Sequence, residues 1–93
     1  MPPLSPDEIA LLFAQLGSGW EIVEGKRLNR TFSFKTFPDG IDFVGRVAQL
    51  AESEGHHPDI HIHYTRVTLE LWTHAVGGLS RNDFILASKI DVL

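Results

Sequence analysis

Asp59-Ile60-His61-Ile62-His63-Tyr64-Thr65-Arg66-Val67-Thr68-Leu69-Glu70-Leu71-Trp72 alternates apolar and polar side chains twice over. Ile60, Ile62 and Tyr64 interleave with His61 and His63. Val67, Leu69 and Leu71 interleave with Thr68, Glu70 and Trp72. A period of two belongs to a strand, whose side chains point to opposite faces in turn. The pattern predicts two antiparallel strands, each with one apolar face, joined at Thr65-Arg66, although neither residue is a favoured two-residue turn former.

Upstream of this hairpin the sequence predicts a helix, two strands and another helix. Ser5-Pro6-Asp7-Glu8 opens the first helix: Ser5 can cap, Pro6 suits the first helical position, and Glu8 can close a capping box. Ile9, Leu12, Phe13 and Leu16 follow at helical spacing, and Gly17 is a natural stop, so the helix is expected from Pro6 to Leu16. Trp20 to Glu24 and Leu28 to Lys35 read as strands turned by Gly25-Lys26. Phe32 and Phe34 share a face with Leu28 and Arg30, which places an arginine at the rim of that face or in a pair. Pro38-Asp39-Gly40 breaks the strand and opens a second helix that Gly55 ends. Its main stripe is Phe43, Val47, Leu50 and Ala51, widened by Ile41, Val44 and Ala48. Downstream, Gly77-Gly78-Leu79 loops to a last helix that starts with a capping-box-like Ser80 to Asp83. Leu86, Ala87, Ile90 and Leu93 form its expected buried side, with Phe84 at the edge.

The predicted order is helix, two strands, helix, two strands, helix. Two hairpins separated by a helix imply an α+β layer, a four-stranded antiparallel sheet with three helices on its apolar face. The chain has 93 residues and no internal repeat or linker, which sets an expectation of one domain over 1–93. Its net charge of −4 argues against a non-specific nucleic-acid binder. No run approaches the ~18 apolar residues of a membrane span. Met1-Pro2-Pro3-Leu4 lacks the basic and apolar regions of a signal peptide. The absence of cysteine excludes disulfides and thiolate zinc sites and fits a cytoplasmic location.

All five histidines fall between His56 and His74. If Thr65-Arg66 is the turn, Tyr64 pairs with Val67, Ile62 with Leu69 and Ile60 with Leu71. The other face then sets His61 opposite Glu70, Asp59 opposite Trp72 and His57 opposite His74, with directly opposed residues roughly 4.5–5.5 Å apart. Pro58 weakens the last of these steps. Three readings follow. Imidazoles suit zinc or copper, and His61-x-His63 can help chelate, but the spacing matches no zincin or finger motif and thiolates are absent. Strand histidines can be plain surface residues, which is the reading for His61 and His63. His56, His57 and His74 can instead form a metal-free acid–base site, in which one group protonates a leaving hydroxyl and another removes a proton.

His56-His57-Pro58, Thr73-His74 and Gly78-Leu79-Ser80-Arg81-Asn82-Asp83 together resemble the pterin-4a-carbinolamine dehydratases. Gly19-Trp20, Leu28-Asn29-Arg30-Thr31-Phe32-Ser33-Phe34, Val47-Ala48, Ala51-Glu52 and Ala87-Ser88-Lys89-Ile90-Asp91 extend the similarity over nearly the whole chain. Gly55 stands where an acidic residue often precedes the histidine pair, and Ile60 where a tryptophan often follows. The resemblance implies a hydro-lyase that dehydrates 4a-hydroxytetrahydropterin to quinonoid dihydropterin in tetrahydropterin recycling, with no cofactor and no metal. It implies His56 and His74 as the acid–base pair and His57 as the residue that binds and orients the pterin, beside Pro58. Trp72 lies on the histidine face of the expected register and can flank the planar ring. The implied partners are a small pterin and further copies of the chain, in a homodimer or homotetramer. The alternative is a non-catalytic dimerisation or assembly role, since animal members of the family also serve a homeodomain transcription factor in that way.

Overall fold

Among the described residues, each α-helix of the computed structural model starts with a side-chain hydrogen bond at its first turn. The structure describes residues 3–93, so the expectation placed on Met1 and Pro2 lies outside the described residues. Ser5 and Glu8 form a reciprocal capping box at α1 (Pro6–Phe13). Thr36 accepts the Asp39 N–H at the start of α2 (Phe37–Glu54). Ser80 and Asp83 box the start of α3 (Arg81–Ile90). Between the helices lie β1 (Glu21–Val23), β2 (Arg27–Ser33), β3 (Asp59–His63) and β4 (Arg66–Leu71). The four strands form one antiparallel sheet in the order β1-β2-β4-β3, which is the expected α+β architecture.

The apolar face of the sheet carries the core. Leu28, Val67, Leu69 and Leu71 are fully buried and pack with Val47, Phe84, Leu86, Ala87 and Ile90. Burying each such leucine stabilises the fold by roughly 1.5–3 kcal/mol. Ile9, Leu12 and Phe13 of α1 pack against this cluster from outside, partly buried. Arg30 does lie on the apolar face, and it is paired. Its Nη1 donates to Asp91 Oδ1 at 2.7 Å, and its guanidinium sits 4.4 Å from the Phe32 ring centre. Asp91 also accepts the Trp20 indole N–H at 2.7 Å. The chain end after α3 is thereby tied to the segment before β1.

Four local expectations are corrected. First, α1 stops at Phe13 rather than Leu16, because Gln15 and Leu16 donate to Leu12 and Phe13 in tighter i→i−3 bonds. The apolar spacing persists there although the α-helix has ended. Second, the first hairpin turns through Glu24, Gly25 and Lys26, since Val23 pairs with Arg27. Third, α3 ends at Ile90, which leaves Leu93 exposed, while Phe84 is buried rather than at the edge.

The fourth correction is to the central hairpin. The turn is Tyr64-Thr65, not Thr65-Arg66, because His63 pairs with Arg66. Tyr64 takes the left-handed backbone, φ 54. Its ring stacks on Phe37 at 6.4 Å, and the Thr65 carbonyl accepts the Phe34 N–H at 2.9 Å. These contacts with the end of β2 and the start of α2 fix the turn. The register moves by two residues, so each side chain keeps its expected face but gains a new neighbour. His61 faces Thr68, His63 faces Arg66, and Asp59 faces Glu70. The ladder ends at Asp59, so the expected pairing of His57 with His74 does not form.

Candidate active site

The end of α2 delivers the histidine pair. Gly55 adopts φ 66, ψ 25 and closes the helix with a left-handed cap, a conformation that side-chain-bearing residues adopt only at a cost. The chain then turns so that His56 points inward and His57 outward. His56 Nε2 lies 2.5 Å from Asp83 Oδ1. His57 is exposed, with Nε2 2.7 Å from Glu52 Oε1 one turn back on α2.

Asp83 is the centre of the arrangement and is wholly buried. Its Oδ2 accepts the Ser80 N–H and the Thr73 hydroxyl, both at 2.9 Å. The Thr73 hydroxyl proton is used there, so Ser80 Oγ, 2.7 Å away, donates to Thr73 Oγ1. The Asp83 N–H donates to the Ser80 carbonyl at 3.2 Å. The N-terminus of α3 adds a favourable dipole for a carboxylate. Every acceptor on Asp83 is therefore occupied, and Oδ1 is aimed at His56. A carboxylate only accepts, so the imidazole proton sits on Nε2 and Nδ1 is left for chemistry.

Thr73 joins this network to the other half of the site. Its backbone N–H donates to Gly78 O at 2.8 Å, closing a loop around the 3₁₀ turn His74–Val76. His74 begins that turn and is exposed. Its ring centre lies 3.8 Å from that of Trp72, with the planes inclined by 39°. The Trp72 indole N–H reaches Asp59 Oδ2 at 3.4 Å. Along Trp72-Thr73-His74 the middle side chain points to Asp83 while its two neighbours meet on the other side.

Of the residues singled out in the sequence, His56 and the segment bearing His74 are brought together through Asp83. Trp72 stands beside His74, and half-buried Pro58 leads from the histidine pair into β3. His61 and His63 stay exposed on the strand. The residues not foreseen as part of a site are Asp83, Thr73, Glu52 and Asp59. Asp83 had a sufficient explanation as a helix-capping residue. Only its second oxygen, visible in three dimensions, gives it a second task. Among the described residues no three His, Asp or Glu side chains converge as metal ligands.

A half-buried imidazole backed by a buried carboxylate is suited to take up a proton, because the carboxylate stabilises the imidazolium that results. A second, exposed imidazole, His74, follows Thr73, whose hydroxyl donates to Asp83.

A helix-covered antiparallel sheet with an imidazole–carboxylate site where α2, β4 and α3 meet is the class that this fold and site define. The family model for pterin 4 alpha carbinolamine dehydratase matches residues 2–93, and the chain belongs to that family. A protein of Nitrosospira multiformis, provisionally named pterin-4-alpha-carbinolamine dehydratase, is 50% identical over 93 residues, covering 100% of this chain and 80% of the relative. Pterin-4-alpha-carbinolamine dehydratase 2, mitochondrial, of Arabidopsis thaliana is 50% identical over 80 residues, covering 82% of this chain and 43% of the relative. The crystal structure of a transcriptional coactivator/pterin dehydratase from Brucella melitensis superposes with a TM-score of 0.89 at 32% identity, covering 97% of this chain and 96% of that one. A pterin dehydratase-like protein identified as a RuBisCO assembly factor in the alpha-carboxysome shares the fold, with a TM-score of 0.67 at 22% identity over 80% of this chain and 87% of that one.

Proposed function

We propose that this chain is a hydro-lyase that converts 4a-hydroxytetrahydropterin to quinonoid dihydropterin and water, acting as one domain over 1–93. The observation that carries the reading is the 2.5 Å contact between His56 and wholly buried Asp83 in a chain of this family. The C4a–O bond breaks as the N5 lone pair forms a double bond to C4a. The leaving hydroxyl takes a proton and departs as water, and an N–H proton of the ring passes to a base. His56, with Nδ1 free and Asp83 behind Nε2, is the base. His74, exposed beyond Thr73, is the acid in its imidazolium form. The proton that His56 gains then balances the one His74 has given. His57, held by Glu52 at the surface, binds and orients the pterin beside Pro58. No cofactor enters this scheme.

The quinonoid dihydropterin product becomes a tetrahydropterin only after a separate reduction, so the reaction is one step of tetrahydropterin recycling, and a chain free of cysteine fits the reducing cytoplasm. Among the described residues no helix is long and apolar enough to cross a membrane. A purely non-catalytic assembly role would use the His56–Asp83 contact for stability alone, whereas the acid–base reading also uses the Nδ1 that this contact leaves unbonded. Stopped-flow dehydration of 4a-hydroxytetrahydropterin in the presence of EDTA tests the proposal. Acceleration over the spontaneous rate is expected. Activity that EDTA abolishes and zinc restores would replace the acid–base scheme with a metal one.

A further inference from the structure

Trp72 stands out among the groups near the site because it touches a candidate catalytic ring directly. Among the described residues no hydrogen bond reaches the His74 imidazole, and the ring is exposed. The indole of Trp72 is what it packs against, at 3.8 Å between ring centres. The indole is itself anchored, with its N–H directed at the Asp59 carboxylate at 3.4 Å. Asp59 opens β3 and Trp72 follows β4, so the anchor spans the two strands of the central hairpin.

We infer that Trp72 is a positioning residue for His74 and not a platform for the substrate. This rests on the reading of His74 as a proton donor. An exposed imidazole on a short turn explores several rotamers, and each one away from the reacting oxygen is unproductive. Contact with a large fixed ring restricts that freedom, because stacked aromatic rings attract beyond simple burial. The same contact covers the side of the indole that a planar ligand near His74 would use. The Asp59–Trp72–His74 row thus acts from the outer side of the strand, while the Thr73–Asp83 bonds hold its inner side.

The test uses Trp72→Leu, which removes the ring, and Trp72→Phe, which keeps one. In Trp72→Leu kcat should fall about 3- to 10-fold, with KM changed by less than about 2-fold. Trp72→Phe should recover most of the loss. Independently of turnover, the His74 ring protons in the NMR spectrum should move downfield in Trp72→Leu as the indole ring current is lost, and move less in Trp72→Phe. A rise in KM with kcat unchanged would make Trp72 a substrate platform and overturn the inference. So would His74 ring signals that do not move. A wild-type chain without dehydratase activity would refute the proposed reaction instead, and the NMR comparison would still decide whether Trp72 holds the imidazole.

Discussion

At the scale of single residues, the structure sets His56, half-buried against Asp83, apart from the exposed His57 and His74. If the histidine face is not the core face, replacing a histidine should scarcely affect stability, but His56 lies against a carboxylate that is 0% exposed. His56→Ala should lower turnover by up to ~10²–10⁴-fold and also destabilise the fold by about 1–3 kcal/mol, since Asp83 loses a partner it cannot replace with bulk water. His74→Ala should lower turnover over the same range and change stability by less than about 0.5 kcal/mol, as its ring is exposed. Paired urea melts check this contrast, and equal destabilisation by the two would contradict the geometry. Asp83→Asn is the sharper test of the tautomer. The amide can keep the Ser80 and Thr73 bonds with its oxygen and then turns its NH₂ toward His56. The imidazole must accept at Nε2 and carry its proton on Nδ1, the wrong form for a base. Turnover should drop by ~10²–10⁴-fold while the protein stays folded, and an Asp83→Asn enzyme with near-normal kcat would remove Asp83 from the mechanism. The imidazoles were legible in the sequence because histidine is rare in such density. The carboxylate was not, because an Asp three residues after a capping Ser already has a complete local reason to be there.

At the scale of elements, alternation settles faces but not registers. A slip of one residue would expose the whole apolar set of a strand, and the pattern forbids it. A slip of two keeps every face, and only the turn chooses between such registers. Here that choice is made by Tyr64 against Phe37 and Thr65 against Phe34, contacts with elements distant in sequence. Helix ends were more legible, because caps are local. Gly55 illustrates this, and its position just before His56 links the cap to the site. A Cβ at Gly55 would meet nothing within 4 Å, so the cost of substitution is that of the backbone alone. Gly55→Ala should lose about 1 kcal/mol, whereas Gly55→Asn should lose less, because asparagine tolerates the left-handed region. Thermal melts that rank Ala at or above Asn would show that the cap is not left-handed. The start of α1 carries a pH signature. The Glu8 carboxyl is held below its ordinary 4.5 first by the Ser5 backbone N–H, then by the Ser5 side chain, and more weakly by Arg81. A depressed carboxyl stabilises the fold above its unfolded value and loses that contribution as pH falls through the folded one. The α1 cap should therefore weaken on acidification below about 4.5, and Glu8→Gln should remove that part of the acid dependence. Hydrogen exchange in α1 that is the same for both proteins across this range would contradict the capping box.

At the scale of the whole molecule, a chain of 10.4 kDa must be stabilised by a small core. The sheet supplies one buried face, and the helices cover it without burying themselves completely. The broad apolar stripe of α2 divides between core and surface. Val47 and Ala51 are buried, while Ile41 is 39% exposed and Ala48 lies at the surface. Phe37, at the start of the same helix, is 45% exposed, and Ile62 on β3 is 41% exposed. Apolar side chains of this size on one small protein mark an association surface more readily than a solvated one. A closed symmetric assembly would cover them in every copy, whereas a head-to-tail contact would leave them open at the ends and favour further growth. Light scattering at micromolar concentration should therefore give two or four times the chain mass. Ile41→Glu, a charge placed where the stripe reaches solvent, should shift the population toward smaller species without disturbing Val47 or Ala51 beneath it. A wild-type mass equal to the single chain, or an Ile41→Glu protein with an unchanged mass, would rule out this face of α2 as the contact.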